Sequence, residues 1–182
     1  MNNHISRLNL YRVDKKYIRD LHNADNRVIS VSPQINKDTR VFIGILLLLN
    51  NQNYVVPISH PKSKHKKMKA SADFDKIFNR QGKLIAVLNF NLMIPVTKKQ
   101  LYPVNLTINK NDSLEEKAYK DLCINEIEYC RRPEISKKIA DKANCLYDLC
   151  TTDSGYKGKS RCLDFKKLEK VCKRFNEKKK SR

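Results

Sequence analysis

The sequence predicts a single α+β domain in which a highly twisted antiparallel β-sheet is followed by C-terminal helices. Apolar runs in the first half are short and are separated by turn-forming residues, as in β-hairpins. The second half repeats apolar residues at helical spacing behind capping residues. With 182 residues and 40% hydrophobic content, the chain can form one packed core. We expect a mostly sheet region at 1–110, a mostly helical region at 111–176 and a basic tail at 177–182.

The first half contains several candidate strands and one short helix. The helix would begin after Asp14, a suitable N-cap, and would carry Tyr17, Ile18 and Leu21 on its apolar face. Short runs rich in β-branched and other apolar residues predict the strands. The candidate strands are 8–13, 27–31, 41–49, 54–58, 74–78 and 84–96, with turn-forming segments at 32–40, 50–53 and 79–83.

Three helices are expected in the second half, each with a recognisable start. Asp112 or Ser113 opens the first, and an acidic residue three positions later completes a capping-box pattern. Pro133 can occupy the first position of the next helix, and Asp164 can cap the last one. The charged residues after the last helix are expected to be frayed. The expected helices are 111–132, 133–150 and 165–175.

The formal net charge of +19 points to a polyanionic partner. Such an excess of positive charge repels itself in the isolated protein and is best neutralised by a polyanion. Nucleic acid is the leading candidate, and an anionic membrane surface is the second. The sequence lacks a clear basic amphipathic helix with bulky apolar anchors, which argues against a peripheral membrane protein.

No targeting or membrane-spanning segment is evident. The first residues, MNNHISRLN, are polar and lack the apolar region of a signal peptide. The longest apolar run, 41–49, is too short to cross a bilayer as a helix. We therefore expect a cytoplasmic protein with no membrane partner.

Six cysteines lie in the last third of the chain. They lack the short paired spacings of zinc sites. Cys123 and Cys130 are spaced like two members of a core stripe on a helix. We expect reduced thiols, and neither a metal ion nor another cofactor.

The segment Ser59-His60-Pro61-Lys62 follows a predicted buried strand and combines the groups that metal-free RNA cleavage requires. The ribose supplies its own nucleophile, the 2′-hydroxyl, so the protein has to transfer protons and stabilise charge on the phosphorane. Imidazole suits proton transfer near neutral pH, and an ammonium group suits the phosphate. Outside its predicted helices the chain has few clustered carboxylates, which argues mildly against a metal-dependent nuclease. An ordinary solvent-exposed loop is the alternative interpretation.

A run of basic residues follows this segment directly. Positive side chains in such a run can track the phosphates of RNA, so we expect an RNA-binding patch here. A solvated charged loop is the alternative. The residues of the patch are Lys64, His65, Lys66, Lys67 and Lys69.

Four stretches resemble, in order along the chain, the motifs of one family. YVVPISHPK (54–62) resembles the signature Y-x-x-P-L-[ST]-S-P-K, and LNFNLMIP (88–95) resembles L-N-x-x-F-M-I-P. KKYIRDL (15–21) and RVFIGILL (40–47) resemble K-Y-I-x-x-L and F-I-G-I. The family is that of the type III toxin–antitoxin endoribonucleases, ToxN/AbiQ, and the resemblance suggests its CptN-like branch.

This resemblance implies a bacterial, metal-independent endoribonuclease with a fold similar to the MazF/Kid toxins. The enzyme would leave 2′,3′-cyclic phosphate and 5′-hydroxyl ends on cellular and phage RNA. It would be inhibited by a small repeat RNA antitoxin, which folds into pseudoknots and which the toxin processes. Protein and RNA would alternate in a closed ring, and the system would serve in phage defence by abortive infection.

The resemblance also carries over active-site positions. Ser59 and Lys62 match residues of the signature, and Tyr17 matches a tyrosine of the N-terminal helix. Arg40 stands where the family has a basic residue before its F-I-G-I strand. His60 departs from the family's serine, but imidazole is the more capable base at neutral pH.

These matches imply a division of roles. His60 would act as general base or acid, while Lys62 and Arg40 would neutralise the phosphorane. Ser59 would donate a hydrogen bond to a non-bridging oxygen, and Tyr17 would position the base or the phosphate. A half-buried helix residue is the alternative for Tyr17, and an edge-strand surface charge is the alternative for Arg40.

A non-catalytic RNA-binding protein is the alternative function. It would explain the net charge equally well and would bind RNA with a steep salt dependence. It differs from the enzyme in one measurable respect, because it would leave RNA uncut in EDTA.

Overall fold

The computed structural model describes residues 8–29, 41–49, 52–152 and 154–178. The strands are β1 (Asn9–Val13), β2 (Phe42–Leu49), β3 (Gln52–Ser59), β4 (Phe74–Phe78), β5 (Leu84–Asn89), β6 (Ile94–Val96) and β7 (Leu101–Pro103). Within the described residues these form one antiparallel sheet in the order β4-β5-β3-β2-β1-β7, with β6 also paired to β3.

The helices confirm most of the predicted starts. They are α1 (Lys15–Ala24), α2 (Ser63–Lys67), α3 (Leu114–Cys130), α4 (Pro133–Thr151) and α5 (Phe165–Lys178). Asp14 and Asp164 cap α1 and α5 by accepting main-chain N–H groups of the first turn. Ser113 forms a capping box with Glu116. The predicted α+β class with C-terminal helices is therefore confirmed.

β3 is the central strand and changes its neighbour along its length. One edge pairs with β2. On the other edge, Tyr54 lies opposite Pro95 of β6, whereas Ile58 lies opposite Leu88 of β5. The second half of β3 therefore enters the small β3-β5-β4 unit, which carries the end of the strand.

The prediction of one continuous strand over 84–96 was wrong. A 3-10 turn at Phe90–Leu92 divides it into β5 and β6. The turn forms because the side chain of Phe90 is fully buried and the main-chain N–H of Phe90 donates to the carbonyl oxygen of Asp73 across 3.0 Å. This turn lets one chain segment pair with both halves of β3.

Three other local predictions differ from the structure. Residues 27–29 form a turn rather than a strand, because the N–H of Val28 bonds to the carbonyl of Asp25 across 2.9 Å; the remaining two residues of that predicted strand lie outside the described residues. β7 and α2 were not expected, since they have only three and five residues. α5 ends at Lys178 rather than at residue 175.

The extension of α5 has a local cause in the side chain of Asn176. Its Oδ1 accepts a hydrogen bond from Gln100 Nε2 across 2.7 Å, and its Nδ2 donates to the carbonyl of Cys172. Gln100 is fully buried, so this contact holds the last turns of α5 against the segment before β7.

Helices α4 and α5 cover one face of the sheet. The hydroxyls of Tyr54 on β3 and Tyr147 on α4 both donate to Glu169 Oε1, at 2.8 and 2.7 Å. The ring of Phe165 on α5 packs against both tyrosines. Cys123 and Cys130 are buried, as the stripe on the predicted helix indicated. The core on this face leaves the opposite face of β3, β5 and β4 for other contacts.

Candidate active site

The end of β3 faces away from α4. Direct partners in antiparallel strands share a face of the sheet. Ser59 lies opposite Val87 of β5, and Val87 lies opposite Lys76 of β4. Asp75, the neighbour of Lys76, points to the other face, where its carboxylate contacts Lys138 of α4 at 2.8 Å. Ser59 and Lys76 therefore share the face opposite this helix.

Asn89 holds the hydroxyl of Ser59. It lies two residues after Val87 on the same strand and therefore on the same face. Its Nδ2 donates a hydrogen bond to Ser59 Oγ across 3.1 Å. This bond uses the oxygen of the hydroxyl as an acceptor, so the hydroxyl proton stays available to a ligand.

The short helix α2 packs on this same face. The ring of His65 lies 5.4 Å from the ring of Phe74 on β4. Lys76 Nζ donates to the carbonyl oxygen of Lys66 across 3.1 Å. These contacts attach α2 to β4, so the segment between β3 and α2 is held at both ends.

Lys62 is the N-cap of α2, and its main chain is fixed by two hydrogen bonds. Its N–H donates to His65 Nδ1 across 2.9 Å, and its carbonyl accepts the His65 N–H across 2.9 Å. Its side chain is exposed and forms no ion pair with a described carboxylate. The ammonium group can therefore meet an anion that approaches from solvent.

His60 stands between these two fixed points and is exposed. The next residue, Pro61, has a fixed φ angle and also restricts the backbone of His60. The structure therefore places Ser59, His60 and Lys62 in one surface segment, with Ser59 half-buried and the other two in contact with solvent.

The predicted patch divides into exposed lysines and a buried histidine. Lys64, Lys66, Lys67 and Lys69 are exposed, and none forms an ion pair within the described residues. His65 is only 8% exposed, so the structure does not bring it to the surface with the lysines, and its expected contact with phosphate stays a prediction. Burial, reinforced by the charges of nearby lysines, lowers the pKa of its imidazole.

Tyr17 lies in the core rather than at this surface. It is fully buried, and its hydroxyl donates to the carbonyl oxygen of Pro95 across 2.5 Å. Burial raises the pKa of the phenol well above its ordinary value. Pro95 pairs with Tyr54, five residues before Ser59 on β3, which is a separation of roughly 17 Å at the rise of a strand. The contact of the Tyr17 hydroxyl is therefore near the start of β3, whereas Ser59 lies at its end, and the role expected for Tyr17 at the phosphate stays a prediction. Arg40 lies outside the described residues.

Comparison with known families identifies the chain. A sequence model of the family described as toxin ToxN of the type III toxin–antitoxin system matches residues 9–173. The chain belongs to this family. The prediction from the four motifs is therefore confirmed at the level of the family, while the CptN-like branch stays a prediction.

Three curated proteins resemble this ToxN-family chain. The endoribonuclease ToxN of Bacillus thuringiensis subsp. kurstaki is 26% identical over 175 residues, covering 92% of this chain and 84% of that protein. The endoribonuclease ToxN of Pectobacterium atrosepticum is 24% identical, covering 78% of this chain and 81% of that protein. The endoribonuclease AbiQ of Lactococcus lactis subsp. lactis is 26% identical, covering 89% and 86%.

Solved structures of related toxins share the fold. One is AbiQ, a lactococcal anti-phage endoribonuclease belonging to the type III toxin–antitoxin system, with a TM-score of 0.79 at 23% identity, covering 94% of this chain and 99% of that one. Another comes from a type III system in which a non-coding RNA pseudoknot selectively inhibits the toxin, with a TM-score of 0.77 at 24% identity and the same coverage. These likenesses establish that this family member has the ToxN/AbiQ fold.

Sequence reasoning missed two residues beside the candidate site, Asn89 and Lys76. Asn89 belongs to the LNFNLMIP stretch that carried the family resemblance, so a signal was present. Its contact with Ser59 depends on the pairing of β3 with β5, which the sequence did not specify. Lys76 gave no signal, because a single lysine in a predicted strand is ordinary.

The remaining titratable clusters do not add a metal site. Among the residues that the structure describes, no group of three or more His, Cys, Asp or Glu residues could hold a metal ion. Five of the six cysteines are buried, and burial raises the pKa of Cys123 to about 11 and that of Cys162 to about 12. Their thiols are therefore protonated at neutral pH. Within the described ranges, no helix is long and apolar enough to cross a membrane.

Proposed function

We propose that this ToxN-family protein is a metal-independent endoribonuclease toxin. It cleaves cellular and phage RNA in the bacterial cytoplasm by attack of the ribose 2′-hydroxyl, and Ser59, His60 and Lys62 form its active site. The names of the related proteins, each an endoribonuclease, support the reaction class.

One observation carries the proposal. The surface segment from Ser59 to Lys62 is fixed at its first residue by the hydrogen bond from Asn89 and at its last by the hydrogen bond to His65. Catalytic groups need such preorganisation, because a displacement of about 1 Å can cost on the order of a hundredfold in rate.

The chemistry follows from the groups in this segment. The 2′-oxygen forms a bond to phosphorus while the bond from phosphorus to the 5′-oxygen breaks. His60 carries out one of the two proton transfers, either from the 2′-hydroxyl or to the leaving 5′-oxygen. Lys62 neutralises the charge on the phosphorane, and the hydroxyl of Ser59 donates to a non-bridging oxygen. The products are a 2′,3′-cyclic phosphate and a 5′-hydroxyl. Arg40 keeps its proposed role as a second cation beside the phosphorane.

The inhibitor is proposed to be a small repeat RNA that folds into a pseudoknot. A type III toxin with the same fold is inhibited by a non-coding RNA pseudoknot, and the net charge of +19 suits such a partner. The toxin processes the repeat precursor and alternates with the product RNA in a closed ring. The exposed lysines after Lys62 contact the phosphates of both substrate and inhibitor.

Cleavage of a labelled adenine-rich RNA in EDTA tests the enzyme. The wild type is expected to cut it and to leave 5′-ends that polynucleotide kinase labels without prior dephosphorylation. His60→Ala lowers the rate by about a hundredfold or more, and Lys62→Ala does so by a similar factor. His22→Gln on α1 and Lys137→Ala on α4 serve as matched controls and keep the wild-type rate.

The outcomes separate the enzyme from the alternative. RNA that is bound but uncut in EDTA identifies a non-catalytic RNA-binding protein. Wild-type rates in both His60→Ala and Lys62→Ala overturn the assigned site. Activity that requires added Mg²⁺ overturns the metal-independent mechanism.

A further inference from the structure

The helix α2 begins in an unusual way. It has only five residues, and helices this short need capping groups and packing to form. A standard capping box pairs an acceptor side chain at the N-cap with Glu or Gln at the third helical position, which accepts the N-cap N–H. In α2 the N-cap is Lys62, and an ammonium group cannot accept a hydrogen bond from the helix. The third position is His65, whose Nδ1 accepts the Lys62 N–H across 2.9 Å.

In this arrangement the main chain of Lys62 caps the helix, while its side chain does not. Its main chain is held by the hydrogen bond to His65 Nδ1 and by the return bond from the His65 N–H. Its side chain takes no part in capping and stays exposed. A standard N-cap residue at this position would use its side chain to accept a helix N–H, and that side chain could then not bind a ligand. Lys62 instead offers its ammonium group to a ligand while its backbone remains fixed.

We propose that neutral His65 is a positioning residue for Lys62, and that protonation of His65 releases Lys62 and slows RNA cleavage. This inference rests on the proposed function, because it gives Lys62 the phosphate as its ligand. The chemical requirement is simple. Nδ1 can accept the Lys62 N–H only while it carries a lone pair, and imidazolium carries N–H on both ring nitrogens.

The surroundings of His65 keep it neutral. Lys62 and Lys64 lie on its own segment, Lys76 approaches from β4, and the ring of Phe74 packs against the imidazole. Burial, first, and then these three positive charges lower the pKa below the ordinary value near 6.5. The cap is therefore complete at neutral pH. It is lost only as the pH falls through this lowered pKa of the folded protein.

Glutamine at position 65 provides the decisive variant. Gln is a standard residue for this half of a capping box, and it does not titrate. At pH 7.5, His65→Ala is expected to lower kcat by about ten- to a hundredfold, whereas His65→Gln stays within about threefold of the wild type. KM changes little in both, because the exposed lysines that bind RNA are retained.

The pH profile distinguishes positioning from mere structural support. As the pH falls from neutrality through the lowered pKa of His65, the kcat of the wild type falls more steeply than that of His65→Gln, because only the wild type carries the titrating cap. His22→Gln is the matched control. His22 lies near the end of α1, and its Nδ1 contacts the carbonyl oxygen of Val28 rather than a residue of the site. Its profile follows the wild type. Identical profiles for wild type and His65→Gln overturn the proposal.

A measurement without RNA tests the same contact. Hydrogen exchange at the Lys62 amide is expected to be slow in the wild type and in His65→Gln, and fast in His65→Ala. Fast exchange in the wild type overturns the positioning role. A wild type that cuts no RNA in EDTA but shows a slow Lys62 amide refutes the proposed function, and leaves the cap itself established.

Discussion

Asn89 Nδ2 donates a hydrogen bond to Ser59 Oγ across 3.1 Å, and this bond joins the end of β5 to the end of β3. The hydroxyl oxygen accepts this bond, so the O–H group remains able to donate to a ligand. A phosphate oxygen that approaches Ser59 therefore meets a donor. The relationship makes Asn89 a positioning residue for the proposed reaction.

Asn89→Ala is expected to slow RNA cleavage by about tenfold, because Ser59 loses the donor that orients its hydroxyl, and to cost about 1 kcal/mol of stability. Steady-state cleavage and urea denaturation measure the two effects. Asn91→Ala is the matched control, because Asn91 Nδ2 bonds to the carbonyl of Arg161 instead of a site residue. Equal cleavage rates in Asn89→Ala and the wild type would show that Ser59 needs no such support.

Replacing the exposed lysines Lys64, Lys66, Lys67 and Lys69 with glutamine is expected to flatten the salt dependence of RNA binding. Each phosphate contact contributes about 0.7 to the slope of log K against log salt for single strands, so four contacts give up to about 3. Fluorescence anisotropy over a range of salt concentrations measures the slope. Lys137→Gln, at a lysine paired with Asp141, provides the comparison. An unchanged slope places the RNA elsewhere on the protein.

Tyr17→Phe is expected to reduce stability and leave catalysis intact. It removes the hydrogen bond to the buried carbonyl of Pro95, which costs about 1–3 kcal/mol. Thermal melting reports the loss, and cleavage measured well below the melting temperature stays within about twofold of the wild type. A variant that melts like the wild type but has lost cleavage would instead show that Tyr17 contacts the RNA directly.

Glu126→Gln is expected to stabilise the protein at alkaline pH. Glu126 is 5% exposed, and burial raises its pKa to about 7. Because the unfolded state ionises near pH 4.5, the carboxyl lowers the free energy of unfolding progressively between pH 4.5 and about 7. The glutamine variant gains about 3 kcal/mol at pH 8 and little at pH 4. Urea denaturation at both pH values measures this, and a gain that is equal at both would exclude ionisation as the cause.

Local features of the fold were predictable from the sequence because their partners are close along the chain. Asp14, Ser113 and Asp164 cap helices through N–H groups within three residues. The 3-10 turn at Phe90–Leu92 was not predictable in this way. It depends on the burial of Phe90 and on its hydrogen bond to Asp73, which the alternation of apolar residues does not reveal.

The chemical groups at the end of β3 could be read directly from the amino-acid sequence. Ser59, His60 and Lys62 are covalent neighbours, so any fold that exposes this segment presents a hydroxyl, an imidazole and an ammonium group together. The side chains that support them come from segments that meet only when the sheet has formed. Asn89 reaches Ser59 from 30 positions away, and Tyr17 is drawn inward to Pro95 from 78 positions away. His65 packs against Phe74 of β4 instead of facing solvent, and in this position it caps α2. Such contacts depend on strand pairing and burial between distant segments, and local propensity does not encode either.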